Sequence, residues 1–243
     1  MIKNLTKRLF RKFLKKFVIA HCQLSYSQFG EDLIIANLFY KIGIHKPFYL
    51  DIGANEPKFI SNTYYFYERG GSGVLIEPNP HLYRKIRRQR PKDTVLNVGI
   101  GVNEVQEANF YMFPNYANGL STFSESEARH WQEIGMKGLG KIPLEKIIKL
   151  PLVPINSILE KYFSEREIDI LSLDVEGLDF DILETFDFSR YQPKIICVET
   201  LEYDEDQSGI KNNKIIEYIA SKNYVVYADT RVNTIFCRKD ILQ

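Results

Sequence analysis

The chain of 243 residues is poor in cysteine, in long apolar runs and in glycine-rich phosphate loops. Its three cysteines, Cys22, Cys197 and Cys237, are odd in number and lack C-x-x-C spacing, which argues against a disulfide framework and a zinc knuckle. No apolar run approaches the roughly 20 residues that span a bilayer, and the N-terminal stretch lacks the long apolar region of a secretory signal. The expected setting is therefore reducing cytoplasm. Unbalanced charge is also scarce, at +1 overall, yet residues 1–16 hold seven cations (Lys3, Lys7, Arg8, Arg11, Lys12, Lys15, Lys16) and no acid. The remainder carries 25 cations against 31 acids, a balance of −6. A mildly acidic body without a basic stripe argues against nucleic acid as partner, because such binding rests on phosphate neutralisation.

In the N-terminal tail, Ile2, Leu5, Leu9, Phe13 and Phe17 fall on one helical face and Arg8, Arg11, Lys12 and Lys15 on another. Residues 1–22 are expected to form a basic amphipathic helix. Its apolar stripe can pack on the domain or on a partner subunit with the lysines in water. Alternatively, residues 1–20 can lie on an anionic membrane surface and hold the protein at its inner face. Residues 23–243, with no internal repeat or low-complexity linker and a chain 44% hydrophobic overall, are expected to be one domain.

The order of elements reads as α/β. Ser27-Gln28-Phe-Gly-Glu31-Asp32 precedes a helical pattern (Phe29, Leu33, Ala36, Tyr40) that stops at Gly43, as in a capped helix with acids in its first turn. Strands are expected at 48–52, 74–76, 94–98, 168–173 and 194–199. Helices are expected at 61–69, 80–90, 157–163, 179–186 and 211–222, and a closing hairpin at 224–228 and 234–238. Strand, helix, strand units of this length imply parallel pairing with right-handed crossovers. Residues 100–150 show no sustained periodicity, are too long for an ordinary connection, and read as an irregular cover on the substrate side.

In an open parallel sheet, ligands bind outside the carboxyl ends of the strands. Those ends are polar in this chain: Asp51-Ile-Gly53-Ala54-Asn55, Glu77-Pro78-Asn79, Asn97-Val-Gly99, Asp174-Val-Glu176-Gly177 and Glu199-Thr200. Any one of them alone reads as a turn or cap; five together read as a site. Glu77, 26 residues after Asp51, is placed to grip ribose hydroxyls. The first loop has one glycine where G-x-G-x-x-G has three, and Pro57 deletes an N–H that a pyrophosphate would use. A nucleoside cofactor without phosphates fits better. S-adenosylmethionine is one, and its sulfonium and ammonium suit a pocket rimmed by Asp51, Asp174 and Glu199. Methyl transfer to a hydroxyl needs the acceptor aligned and its proton removed or weakened. Asp174, Glu176 and Glu199 are the carboxylates for that role.

Ser27-Gln28-x-Gly30-Glu31-Asp32, Asp51-Ile-Gly-Ala-Asn55, Glu77-Pro-Asn-Pro80 and Leu173-Asp-Val-Glu-Gly177 together resemble the FkbM-type S-adenosylmethionine-dependent methyltransferases, over about residues 25–240. The resemblance implies a Rossmann-like class I methyltransferase fold with a seven-stranded sheet, and O-methylation of sugars or natural-product hydroxyls, such as a surface polysaccharide or a nucleotide-linked sugar. It also implies that Gly53 and Asn55 line the methionine part, that Glu77 holds the ribose and that Asn97 sits near the adenine, with Asp51, Ala54 and Pro78 also in the cofactor site. Gln28, Glu31 and Asp32 approach the same cofactor end or simply cap their helix. Related sugar O-methyltransferases hold Mg²⁺ with carboxylates after corresponding strands, which would fall to Asp174 and Glu199. Pro57 departs from the family, which has glycine there, so the loop is stiffer and the next helix starts later.

His130, beside Trp131, is a rival base if the cover folds over the pocket; the competing reading is a structural or solvated histidine. Three other functions compete with methyl transfer to a hydroxyl. A nicotinamide-dependent oxidoreductase would need the missing glycines. A nucleic-acid methyltransferase would need an Asn/Asp-Pro-Pro-aromatic strand end. A non-catalytic domain on the same scaffold is the third.

Overall fold

Mostly apolar stretches of four or five residues, rich in Ile, Leu and Val and too short for helices, pair side by side as strands buried on both faces. The computed structural model describes residues 22–136, 138–202 and 209–242, and the helix expected in the N-terminal tail lies outside them. The chain runs through α1 (Glu31–Lys41), β1 (Phe48–Ile52), α2 (Tyr64–Glu68), β2 (Ser72–Ile76), α3 (Pro80–Gln89) and β3 (Thr94–Leu96). Next come β4 (Gly99–Gly101), β5 (Glu107–Met112), a 3₁₀ turn (Asn115–Leu120), α4 (Glu125–Glu133) and β6 (Lys146–Pro154). The remainder is α5 (Ile155–Phe163), β7 (Ile170–Leu173), α6 (Asp179–Thr185), β8 (Ile195–Glu199), β9 (Leu201–Glu202), β10 (Ile210–Lys211), α7 (Asn213–Ser221), β11 (Tyr224–Asp229) and β12 (Asn233–Arg238).

Seven strands form one sheet in the order β11-β12-β8-β7-β1-β2-β3. It is parallel except for β12, which pairs antiparallel with both β8 and β11 and closes the edge as a hairpin. This is the Rossmann-like α/β architecture expected. Alternation along each strand divides the core. Leu50, Ile52, Val74, Ile76, Leu171, Leu173, Ile196 and Val198 pack with α5, α6 and α7. Tyr49, Leu75, Ile170, Ile195 and Cys197 pack with α1, α2 and α3. Each fully buried aliphatic side chain contributes roughly 1.5–3 kcal/mol, so the central strands hold the frame on which the strand-end loops are mounted. Among the described residues, no helix is long and apolar enough to cross a membrane.

Three local expectations are corrected. Residues 100–150 are not irregular: β4, β6 and β5 form a second sheet in that order, with β5 antiparallel to β6 from Glu107↔Pro151 to Met112↔Lys146. The 3₁₀ turn and α4 lie between those paired strands, so the pattern is set by long-range pairing. The helix expected at 61–69 spans only Tyr64–Glu68. Its N-cap Thr63 gives its hydroxyl to Asp51, while Ser61 accepts from the N–H of Tyr64, the first helical residue. At α1 the N-cap position belongs to Gly30, in a left-handed conformation and without a side-chain cap. Ser27 and Asp32 bond to each other, and Asp32 also accepts from Ser25 and the Tyr26 N–H.

Candidate active site at the carboxyl ends of the strands

The chain leaves β1 through Gly53, whose N–H bonds the Ile76 carbonyl of β2. A Cβ at Gly53 would stand 1.7 Å from the Asp174 carbonyl oxygen, and its φ of 83° is one that L side chains rarely adopt. Glycine is needed because the loop after β7 lies against it. Asn55 follows, also left-handed at φ 49°. Its N–H donates to Glu77 Oε2 at 2.6 Å, while Glu77 Oε1 accepts from the Asn79 N–H at 2.7 Å. Two backbone bonds thus aim one buried carboxylate, and each of its oxygens keeps a lone pair for a further donor. Burial without a facing cation pushes the Glu77 carboxyl up to about 8, against the pull of those two N–H groups.

These residues border a partly open cavity at the carboxyl ends of the strands. Gly53, Asn55, Glu77, Pro78, Asp174 and Glu176 form its polar wall, and Ile52, Ile76, Ile100 and Ile182 its apolar floor. Asn118, Gly119, Ser121, Thr122 and Phe123, from the segment between β5 and β6, line it as well. Thr122 Oγ1 donates to the Glu176 carbonyl at 2.9 Å, which ties this cover to the loop after β7. Asn55 Oδ1 is buried without a hydrogen-bond partner, an acceptor waiting for a donor.

Beyond Asp174 the acids crowd together. Asp174, Glu176 and Glu199 each present an oxygen, and the three lie within 4.8 Å of one another. Glu176 is held in the left-handed region at φ 57°, strain of the kind that collects at functional sites. Burial, then the charge of Asp51, pushes Asp174 up to about 6 against a hydrogen bond with Glu199. Burial and repulsion from Asp174 hold both Glu176 and Glu199 well above the usual carboxylate range. Asp179, at the start of α6, is pushed up to about 7 by burial and by Asp174, against the backbone N–H groups it accepts from, including that of Val175. A second cavity of about 650 Å³, lined by Asp179, Phe180, Glu199, Thr200, Asn212 and Lys214 among others, adjoins the other side of the cluster.

The profile of the methyltransferase FkbM domain matches residues 51–226, which contain every group just described. This chain belongs to the FkbM methyltransferase family. Among solved structures, it is similar to a TehB-like SAM-dependent methyltransferase from Corynebacterium glutamicum, at 10% identity over 97% of this chain and 100% of that one, with a TM-score of 0.42. It is also similar to a methyltransferase from Geobacter sulfurreducens, at 10% identity over 84% and 77%, TM-score 0.42. A third is the 1,6-didemethyltoxoflavin-N1-methyltransferase of Burkholderia thailandensis, at 10% identity over 86% and 76%, TM-score 0.39. Likenesses this distant say nothing of the acceptor. No curated protein matches the chain.

In this FkbM domain the first cavity brings together Gly53, Asn55, Glu77, Pro78, Asp174 and Glu176. The other expected site residues lie elsewhere. Ala54 is buried in the core beneath the loop. Asn97 does not line the cavity; its amide donates to the Glu77 and Pro78 carbonyls and props their loop. Glu199 faces the second cavity. Gln28 is exposed and lines a separate surface hollow with Lys58, Phe59 and Ile60. Glu31 is spent on Thr230, Asn233 and the Phe29 N–H, so it ties α1 to the closing hairpin. His130 does not line either cavity; its ring meets Trp131 edge-on and its Nε2 is buried without a hydrogen-bond partner.

Asp51 is the main reassignment. It shares a sheet face with Tyr49, opposite Ile52, and so turns away from the cavity toward α3. It accepts from Thr63 Oγ1 at 2.5 Å. Thr63 in turn accepts from Arg90, a fully buried guanidinium that also donates to Tyr49 and forms an ion pair with Asp93 at 2.7 Å. Arg90 is not among the residues expected from the sequence. A signal is present there, because Leu82, Ile86 and Arg90 recur at four-residue spacing, which puts Arg90 in line with the buried stripe of α3.

Proposed function

We propose that this domain moves a methyl group from S-adenosylmethionine to a hydroxyl of a small polyhydroxylated acceptor, such as a sugar of a surface polysaccharide or a nucleotide-linked sugar. The observation that carries the reading is the acid cluster standing between two cavities, with Asp174 and Glu176 in the wall of one and Glu199 and Asp179 in the wall of the other. The first cavity fits the cofactor. Glu77 offers two lone pairs to a ribose diol, the unpartnered Asn55 Oδ1 suits an ammonium donor, and acids face a cationic ligand. When bound, S-adenosylmethionine supplies an electrophilic methyl group on a sulfonium.

The chain's own residues supply the rest. The second cavity receives the acceptor, and the Asp174–Glu199 pair, which shares one proton, takes the hydroxyl proton on its open carboxylate as the oxygen becomes an ether. A carboxylate held well above its usual range by burial and by like charge is basic enough for that task near neutrality. Asp174 orients Glu199 through their hydrogen bond and shares its proton. Apolar walls and the cover keep water from the methyl group.

A second use of the cluster is favoured by its donor set. Three carboxylate oxygens within 4.8 Å suit a hard cation such as Mg²⁺, which would replace the shared proton and lower the pKa of a coordinated hydroxyl.

Calorimetric titration with S-adenosylhomocysteine tests the cofactor assignment. Glu77→Gln puts an amide donor against one backbone N–H, and binding should weaken by about 10–100-fold with the melting temperature little changed. Unchanged affinity refutes the role of Glu77, and no heat from folded wild-type protein refutes the cofactor. Labelled S-adenosylmethionine with a panel of nucleotide-linked sugars, with Mg²⁺ or with chelator, separates the two uses of the acids.

A further inference from the structure

The face of the sheet covered by α1, α2 and α3 carries a surface that methyl transfer does not explain. Leu24, Phe29, Phe59 and Ile60 are 61%, 55%, 71% and 44% exposed. They belong to two segments joined by the Ser61 N–H bond to the Tyr26 carbonyl and by an edge contact of the Tyr26 and Tyr64 rings. Between these segments lies a hollow of about 720 Å³ lined by Ser25–Gln28 and Lys58–Ile60. Ile60 is a β-branched residue at φ 52°, a costly conformation with no burial to repay it.

Positive charge adjoins this apolar patch. Lys58 lies over the Tyr64 ring, Tyr64 stacks on Tyr67, and Lys92 lies over Tyr67, so one row crosses α2 toward α3. Residues 80–92 hold Arg84, Lys85, Arg87, Arg88, Arg90 and Lys92 and no acid. Among the described residues, acids elsewhere on this half of the chain offset Lys85 and Arg90 but not Arg84, Arg87, Arg88 and Lys92. Glu31, Asp32, Asp51 and Glu77 are buried, Asp93 is closed off beneath Arg90, and Glu56 and Glu68 are paired with Lys85 and Arg69. The acidic balance of the body therefore conceals a basic face. The seven cations of residues 1–16 precede it in the chain.

We propose that this face docks on an anionic lipid bilayer, with Leu24, Phe29, Phe59 and Ile60 entering the headgroup boundary and Arg84, Arg87, Arg88 and Lys92 meeting the lipid charge. Apolar side chains beside a cation field are what an interfacial contact requires, and neither alone anchors a protein stably.

Flotation of the full chain with vesicles of one part phosphatidylserine to three parts phosphatidylcholine, and with phosphatidylcholine alone, tests it. The protein should float with the anionic vesicles only, and less in high salt. Removing three cations at about fivefold each, in Arg84→Glu/Arg87→Glu/Arg88→Glu, should weaken partitioning about a hundredfold or more. Phe59→Ser, at an exposed side chain, should weaken it several-fold in high salt, with thermal melting of both variants near wild type. The proposal is overturned if the triple variant partitions like wild type, since residues 1–16 would then suffice. It is also overturned if the protein ignores anionic vesicles yet binds a single-stranded oligonucleotide.

Discussion

Raising the pH should destabilise the ligand-free domain, and the acid cluster sets part of the amount. Asp174 is pushed up to about 6 and Asp179 to about 7 from an ordinary value of 3.8. At pH 5 the folded protein thus holds protons that the unfolded chain has already released. Where the folded state binds more protons, stability is fully present below the unfolded pKa and is lost as pH climbs through the folded one. Between pH 5 and pH 8, integration gives about 1.4 kcal/mol for Asp174 and about 2.6 kcal/mol for Asp179. The sum for these two acids, about 4 kcal/mol, is their upper bound because they repel and titrate together; Glu77, pushed up to about 8, adds to the decline from outside the pair. Glu176 and Glu199 shift in the same direction. For a domain of this size, about 4 kcal/mol is about 8–16 °C in melting temperature. Urea denaturation at the two pH values, repeated with Asp174→Asn/Asp179→Asn, isolates the cluster from the rest of the titration. The variant should flatten the decline, and millimolar Mg²⁺ should restore part of the wild-type stability at pH 8 if the acids hold a cation. A wild type that is equally stable at both values, or a variant with the same slope, refutes the reasoning.

The remaining predictions concern packing beneath the site. Gly53→Ala should cost about 3 kcal/mol or more in urea denaturation, because its Cβ meets the Asp174 carbonyl at 1.7 Å in a left-handed conformation; a loss under about 1 kcal/mol contradicts that contact. Arg90→Met leaves the buried carboxylates of Asp51 and Asp93 without their cation and should cost about 3–5 kcal/mol by the same measurement. Arg90→Lys should not restore it, since one ammonium cannot reach Asp93, Tyr49 and Thr63 together.

The residues legible in the sequence are those whose position and chemistry disagree locally. Glu77, Asp174 and Glu176 are acids at the ends of apolar runs, and that mismatch alone marks the strand ends as a site. Asp51 looks the same, yet the two-residue alternation of β1 sends it to the opposite face from Ile52. Arg90 is hidden by its neighbours: in a run as basic as 80–92, a buried arginine has the same appearance as a solvated one. The β5–β6 pairing joins residues more than thirty positions apart, and Pro151 and the glycines of the intervening segment blur any local period. The outward Phe59 and Ile60 are equally hard to read, since aromatic and branched residues beside a strand usually belong to the core.

The pairing of Met112 with Lys146 bears on how one wall of the first cavity could be exchanged. Residues 113–145, which place Asn118, Gly119, Ser121, Thr122 and Phe123 over the first cavity, leave and return at two positions facing each other across one ladder. Antiparallel partners are about 5 Å apart at Cα, so a substituted cover would have only that short span to bridge. The seven-stranded sheet contributes no strand to it. Such a segment is a cassette, replaceable by recombination between relatives while Glu77, Asp174 and Glu176 stay in place.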